Sequence, residues 1–200
     1  MRIAAGKHRG RRLVAPAGKK VRPTLGRARE GLFDSLAHKR FSATGAPVLA
    51  GARVLEAFSG TGAFAYEALS RGAASAVLMD IDPAALDAAR RNAANLSESA
   101  RVTVLKADAT KPGAAPSAAS LVFLDPPYGS GRAAPALAAL AAKGWLEDGA
   151  LCVIEVAAKE TFSPPPGFTA IDERRHGAAR FVFVRWRAKE DSPPRHKATR

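Results

Sequence analysis

The stretch RVLEAFSGTG, from Arg53 to Gly62, decides how the rest of the chain is read. Arg53–Phe58 is a short apolar strand that ends in Ser59-Gly60-Thr61-Gly62, and a helix follows to about Arg71, closed by Gly72. Gly60 and Gly62 allow a tight turn and close backbone approach to a ligand, and the helix beyond offers unpaired N–H groups. Asp80 ends the next strand, twenty positions after Gly60, where a carboxylate can accept hydrogen bonds from both ribose hydroxyls. The turn therefore points to an adenosine-containing cofactor, and its spacing alone also suits NAD. Glu56, just before the turn, leans away from NAD: a carboxylate repels a pyrophosphate but attracts a cation, such as the sulfonium or amino group of S-adenosylmethionine. A tight turn with no ligand is the plain alternative.

Outward from the turn, strands and helices alternate. Ala76–Met79 is a buried strand, and Asp82-Pro83 opens a helix to about Asn95 with a capping carboxylate and a first-turn proline. Val102–Leu105 and Leu121–Leu124 are strands separated by a Pro/Ala/Gly loop at 111–119. A helix over about 133–143 and a strand at 150–156 follow, then strands near 168–174 and 180–187 that flank Gly177 as a hairpin. Such alternation gives an α/β fold, an open and mostly parallel sheet with helices on both faces and an antiparallel hairpin at its C-terminal end. Before the turn, Arg2–Val21 forms a small hairpin or an extended arm. Arg22-Pro23-Thr24 resets the chain, and Thr24 caps a helix to about Leu36 with Leu32, Phe33 and Leu36 on one face. Residues 42–50 read as a linker.

Asp125-Pro126-Pro127-Tyr128 is the most specific feature of the chain. It ends an apolar strand at the carboxyl edge, where open α/β sheets bind ligands. Two prolines fix φ and remove two N–H donors, leaving carbonyls free to accept. A carboxylate beside a rigid carbonyl can take both hydrogens of one NH₂ group. The Tyr128 ring can stack on a planar base, an interaction worth about 1–3 kcal/mol.

Composition sets the surroundings. Two hundred residues with 47% hydrophobic and 24% charged side chains suit a single globular domain. The single cysteine, Cys152, excludes an internal disulfide and a four-cysteine zinc site, and His8, His38, His176 and His196 are scattered, so no metal is expected. No apolar run reaches the roughly 18–20 residues that span a bilayer, and no signal segment is evident, so a soluble, cytoplasmic protein without a membrane partner is expected. The net charge of +13 is concentrated at the ends. Residues 1–40 carry twelve Lys and Arg against Glu30 and Asp34, and 185–200 carry six against Glu190 and Asp191, while the body is close to neutral. Charge focused in this way attracts polyanions, nucleic acid first among them. The polar, proline-containing stretch 189–200 reads instead as a disordered basic tail.

The order Glu56-x-x-x-Gly60-x-Gly62 resembles motif I of Rossmann-like methyltransferases, and Asp125-Pro126-Pro127-Tyr128 resembles motif IV of those that modify exocyclic amines of bases. The pattern Arg2-Ile3, Gly6-Lys7-His8-Arg9-Gly10-Arg11-Arg12-Leu13, then Arg22-Pro23-Thr24, Arg27, Arg29-Glu30 and Leu32-Phe33, narrows this further. Over about 1–187 the chain resembles the bacterial family that methylates the exocyclic amine of one guanine in 16S ribosomal RNA. The resemblance implies a Rossmann-like class I methyltransferase fold with a seven-stranded sheet over 51–188, S-adenosylmethionine as donor, and an RNA-binding extension over 1–40. It implies Asp125, Pro126, Pro127 and Tyr128 as catalytic. Glu56, Phe58, Ser59, Gly60, Gly62, Asp80, Asp82, Asp108 and Ala109 would hold the cofactor. Asp108 stands where the superfamily contacts the adenine amine, although a loop-capping role is equally open. Arg2, Lys7, Arg9, Arg11, Arg12, Arg22, Thr24, Arg27 and Arg29 would grip RNA, and the partner would be the small ribosomal subunit or an assembly intermediate, met by a monomer. Leu25-Gly26, Ser59 and Asp80 depart from the family's usual Thr-Asp, Ala and Glu. Three rivals remain: a DNA adenine-N6 or cytosine-N4 methyltransferase, an NAD-dependent oxidoreductase, and a catalytically idle RNA-binding or ribosome assembly factor.

Overall fold

The computed structural model describes residues 1–16, 23–37, 41, 45 and 47–188. Arg22 and the expected tail at 189–200 lie outside the described residues, as do the side chains of Thr24 and Arg27 and most of the expected linker. The elements run α1 (Pro23–Ala37), β1 (Arg53–Ala57), α2 (Ala63–Ser70), β2 (Ser75–Asp80), α3 (Pro83–Asn95), β3 (Val102–Lys106), β4 (Ala119–Leu124), α4 (Ala133–Ala142), β5 (Leu146–Ala157), β6 (Phe168–His176) and β7 (Ala179–Trp186). They form one seven-stranded sheet in the order β3-β2-β1-β4-β5-β7-β6. The first five strands of that order are parallel, and β7 is antiparallel to both β5 and β6. The chain winds outward through β2 and β3 on one side of β1 and through β4 and β5 on the other. The strand order thus reverses between β1 and β4, and a crevice opens there at the carboxyl ends.

Side chains alternate across each strand, so every inner strand feeds two cores. Val54, Leu121, Phe123, Leu151, Val153, Phe181 and Phe183 pack under α1 and α2. Leu55, Ala57, Val122, Leu124, Cys152, Ile154, Val182 and Val184 pack with α4 on the other face. An aromatic row braces the first core, with Phe33 to Phe64 at 4.7 Å and Phe64 stacked on Phe123 at 4.0 Å. Asp82 caps α3 by accepting from the Ala84 amide at 3.0 Å, with Pro83 in the first turn as expected. Two boundaries differ from the sequence reading. Pro23 takes the first helical position of α1, so Thr24 lies inside the helix and is not its cap. β5 begins at Leu146, four residues early, and its pairing with β4 shifts register between Ala119 and Leu121.

The N-terminal segment is part of this body. Its hairpin is closed by Ile3 N–H to the Arg11 carbonyl (3.0 Å) and Leu13 N–H to the Met1 carbonyl (3.0 Å). Ile3 and Leu13 are buried in the same core as α1 and α2. Polar contacts hold it from outside. Glu67 of α2 accepts from the Ala4 and Ala5 amides at 2.8 and 3.1 Å. The Ser70 carbonyl and hydroxyl accept from the Lys7 and His8 amides, each at 2.9 Å. Buried Glu98 meets the His8 ring at 2.6 Å, Lys7 at 2.8 Å and Arg101 at 2.5 Å. Burial by itself would raise the Glu98 pKa, but these three donors outweigh it and hold the carboxyl at about 2.

Candidate active site

Three neighbouring strands each place a carboxylate at or near their carboxyl ends, on the face covered by α1 and α2. Glu56 is in register with Phe123 across β1 and β4, and Leu124 with Ile154 across β4 and β5. The period of two then puts Glu56, Asp125 and Glu155 on that same face. All three line a cavity of about 180 Å³ with Phe58, Ser59, Gly60, Phe123 and Phe181, and with Met1, Arg29 and Leu32 from the N-terminal segment. Pro126 is buried, while Asp125 is exposed at the cavity and Tyr128 is 41% exposed. The Tyr128 hydroxyl donates to Glu155 at 2.7 Å. The surrounding protein desolvates Asp125, and the charges of Glu155 and Glu56 act in the same direction, so its carboxyl lies well above the usual carboxylate range. Burial also raises Glu155, against the Tyr128 hydrogen bond.

The glycine turn is held rigidly. The Gly60 amide donates to Asp80 at 2.7 Å, and the other Asp80 oxygen accepts from the Asp82 amide at 3.0 Å. Gly62 has φ +79° and no room for a side chain, since a Cβ would lie 2.4 Å from Leu78 and 2.7 Å from the Tyr66 ring. Phe58 adopts φ +56°, a conformation that costs a non-glycine residue about 1–3 kcal/mol and is concentrated at ligand sites. Glu56 is buried, and its two oxygens accept from the Phe64 and Ala65 amides at 3.2 and 2.7 Å. It therefore caps the first turn of α2, and burial pushes its carboxyl up to about 8. A Rossmann site for a dinucleotide leaves that helix end open for pyrophosphate; here the protein's own carboxylate fills it.

Asp108 takes the loop-capping role that the sequence left open. It caps its own turn, accepting from the Thr110 amide at 2.9 Å and hydroxyl at 2.8 Å. It also pairs with Arg132 through both oxygens, at 2.8 and 2.7 Å. The Thr110 bonds and then Arg132 hold its carboxyl low, against desolvation. The Arg132 guanidinium lies 5.5 Å from the Phe58 ring, which joins the glycine turn to the end of β3. Ala109 beside it is buried.

The structure separates the basic residues. Arg2, Lys7, Arg9, Arg11 and Arg12 are exposed on the hairpin, with Lys7 bound to Glu98 and Arg11 to the Asn95 carbonyl. Arg29 is different: it is half-buried in the wall of the cavity, donating to the Arg2 carbonyl at 2.8 Å and to the Met1 sulfur. Burial lowers its pKa, while Glu67 and Glu56 raise it. Sequence reasoning missed Glu155, Arg132, Met1 and the exposed Ile81 between Asp80 and Asp82.

A reversing sheet of this order, with its crevice at β1 and β4, places the chain in the Rossmann-like S-adenosylmethionine-dependent methyltransferase superfamily, and S-adenosylmethionine is its cofactor. Residues 1–185 match the family described as Conserved hypothetical protein 95. The chain belongs to this family of rRNA methyltransferases. It is 36% identical over 156 residues to Ribosomal RNA small subunit methyltransferase D of Escherichia coli, covering 78% of this chain and 74% of the relative. The protein of the same name from Haemophilus influenzae is 30% identical, covering 88% and 89%. A solved Escherichia coli structure described as a methyltransferase matches with a TM-score of 0.78 and 32% identity, over 94% of this chain and 99% of that one.

Proposed function

We propose that the chain transfers a methyl group from S-adenosylmethionine to the exocyclic N2 amine of a guanine in 16S ribosomal RNA, acting in the cytoplasm as a monomer on the small subunit or an assembly intermediate. The observation that carries the reading is Asp125 at the end of β4, facing the same cavity as the glycine turn. The residues present fit the cofactor. On the cavity wall, Ser59 supplies a buried hydroxyl with no hydrogen-bond partner among the described residues. The Asp80 carboxylate stands beside the turn for a ribose, with Asp82 next to it. Exposed Ile81 offers an apolar surface for a flat ring, and Asp108 is tied to the turn through Arg132, which lies against Phe58.

The bound cofactor supplies a methyl group on a cationic sulfur. The chain's part is to prepare the amine. An aryl amine is a poor nucleophile because its lone pair is delocalised into the ring. The Asp125 carboxylate and the Pro126 carbonyl accept its two hydrogens and localise that pair, so positioning and electrostatics do most of the catalysis. The Asp125 carboxylate, already the acceptor of an N2–H, takes the proton that leaves N2 as the C–N bond forms. Tyr128 stacks on the extruded base, offsetting part of the few kcal/mol that unstacking costs. The exposed arginines of the hairpin, with Arg22 and Arg27, neutralise RNA phosphates.

The test is methyl transfer from labelled S-adenosylmethionine to free 16S RNA, to small subunits lacking the modification and to duplex DNA, with digestion to nucleosides. N2-methylguanosine from the ribosomal acceptors alone, abolished in Asp125→Ala with cofactor affinity nearly intact, is expected. Label on adenine or cytosine in DNA would overturn the substrate, and an active Asp125→Ala chain would overturn the mechanism.

A further inference from the structure

We propose that Glu155 is the specificity-determining residue of this site, accepting the ring N1–H of guanine beside the amine that Asp125 accepts. The inference rests on the reading of Asp125 given above. Parallel pairing of Leu124 with Ile154 makes Asp125 and Glu155 the next residues on two adjacent strands, pointing to one face. Strands so paired lie about 4.7–4.9 Å apart, which sets two carboxylates side by side. Guanine presents its N1–H and one N2–H in parallel, from adjoining atoms of one edge, and needs two adjoining acceptors. Adenine and cytosine instead present a lone pair on the ring nitrogen next to the amine, which a carboxylate repels.

Glu155 has the marks of a residue kept for a ligand. It is 4% exposed in a strand whose neighbours are Val153, Ile154 and Val156, where a carboxylate is costly unless it is bonded. Its hydrogen bond within the chain is to Tyr128, itself 41% exposed. That bond fixes the stacking ring relative to the acceptor pair, so the face and the edge of one base are read together. The same cavity wall carries the buried hydroxyl of Ser59, which has no hydrogen-bond partner among the described residues.

The test uses 16S RNA with guanine or 2-aminopurine at the nucleotide the wild-type protein labels, assembled into small subunits. 2-Aminopurine keeps the N2 amine but carries a lone pair at N1. The wild-type chain is expected to favour guanine by roughly tenfold or more in kcat/KM, the size of one base-edge discrimination. Glu155→Gln, whose amide can present either a carbonyl or an N–H, is expected to bring the ratio close to one, in part by raising the rate on 2-aminopurine. A structural defect would lower both rates together. A wild-type ratio below about threefold overturns the proposal, as does an unchanged ratio in a folded Gln variant; if that variant does not fold, the wild-type ratio decides. Absence of label from guanine itself in the wild-type reaction would overturn the Asp125 reading, and this inference with it.

Discussion

Replacing Gly6 by alanine should detach the N-terminal hairpin while leaving the sheet folded. Gly6 has φ +80°, and a Cβ built there would lie 1.9 Å from the Ser70 carbonyl oxygen. Neither partner is the end of a flexible side chain, so the hairpin has to lift. Left-handed backbone costs a non-glycine residue about 1–2 kcal/mol. Lifting also gives up the bonds from the Lys7 and His8 amides to Ser70, each worth a net of about 1 kcal/mol. The total is about 3–4 kcal/mol, a loss of more than roughly a hundredfold in the docking equilibrium. Hydrogen exchange reads this directly. The amides of Ala4, Ala5, Lys7 and His8 should exchange at least about a hundred times faster in Gly6→Ala, with much smaller changes at Val122 and Leu124 in the middle of the sheet. Unaltered protection at those four amides would refute the argument.

Other perturbations separate the remaining parts. Asp80→Ala removes the acceptor of two turn amides as well as the proposed ribose partner, so S-adenosylmethionine should bind at least about tenfold more weakly by calorimetry; unaltered affinity would move the ribose role to Asp82. Glu98 is held at about 2 when folded, against 4.5 ordinarily, so its contribution is complete above about pH 4.5 and disappears as pH falls toward 2. It amounts to about 3 kcal/mol, and urea midpoints should fall less steeply across that window in Glu98→Gln; an equal fall would show that the cluster contributes nothing to acid sensitivity. Changing Arg9 and Arg12 to Gln should flatten the salt dependence of RNA binding by about one power of salt for each phosphate left without its arginine. An unchanged slope would remove the hairpin from the RNA grip.

Much of this was legible because local signals and fold agreed. The Asp82-Pro83 cap, the glycine turn and the alternation of strands and helices each have a short-range cause. Asp125 stood out as a candidate because its strand ends where prolines forbid continuation, and the structure places it on the cavity wall. Other features depend on interactions that no local period displays. Glu56 bonds amides eight and nine residues ahead, which neither a period of two nor one of 3.6 reveals. The early start of β5 is masked by Glu147-Asp148-Gly149, a polar stretch that reads as a turn. Two residues did leave a trace. Arg29 stands three and four positions before Leu32 and Phe33, on the apolar side of α1, and so was never an ordinary member of the basic surface. Glu155 interrupts an apolar strand, and a charge in that setting calls for a partner or a purpose.

Under the proposed function, the way the hairpin is bolted to α2 and Glu98 makes it a gauge rather than a tether. A flexible arm would deliver whatever base happened to be near the cavity. An arm whose apolar side chains share a core with α1 and the sheet fixes the span between its exposed arginines and Asp125. A nucleotide then qualifies by where the folded RNA holds it, and two identical sequences in differently shaped surroundings would not be treated alike. Selectivity of that kind would need no large reading surface beyond a body of this size with one short hairpin as its ruler.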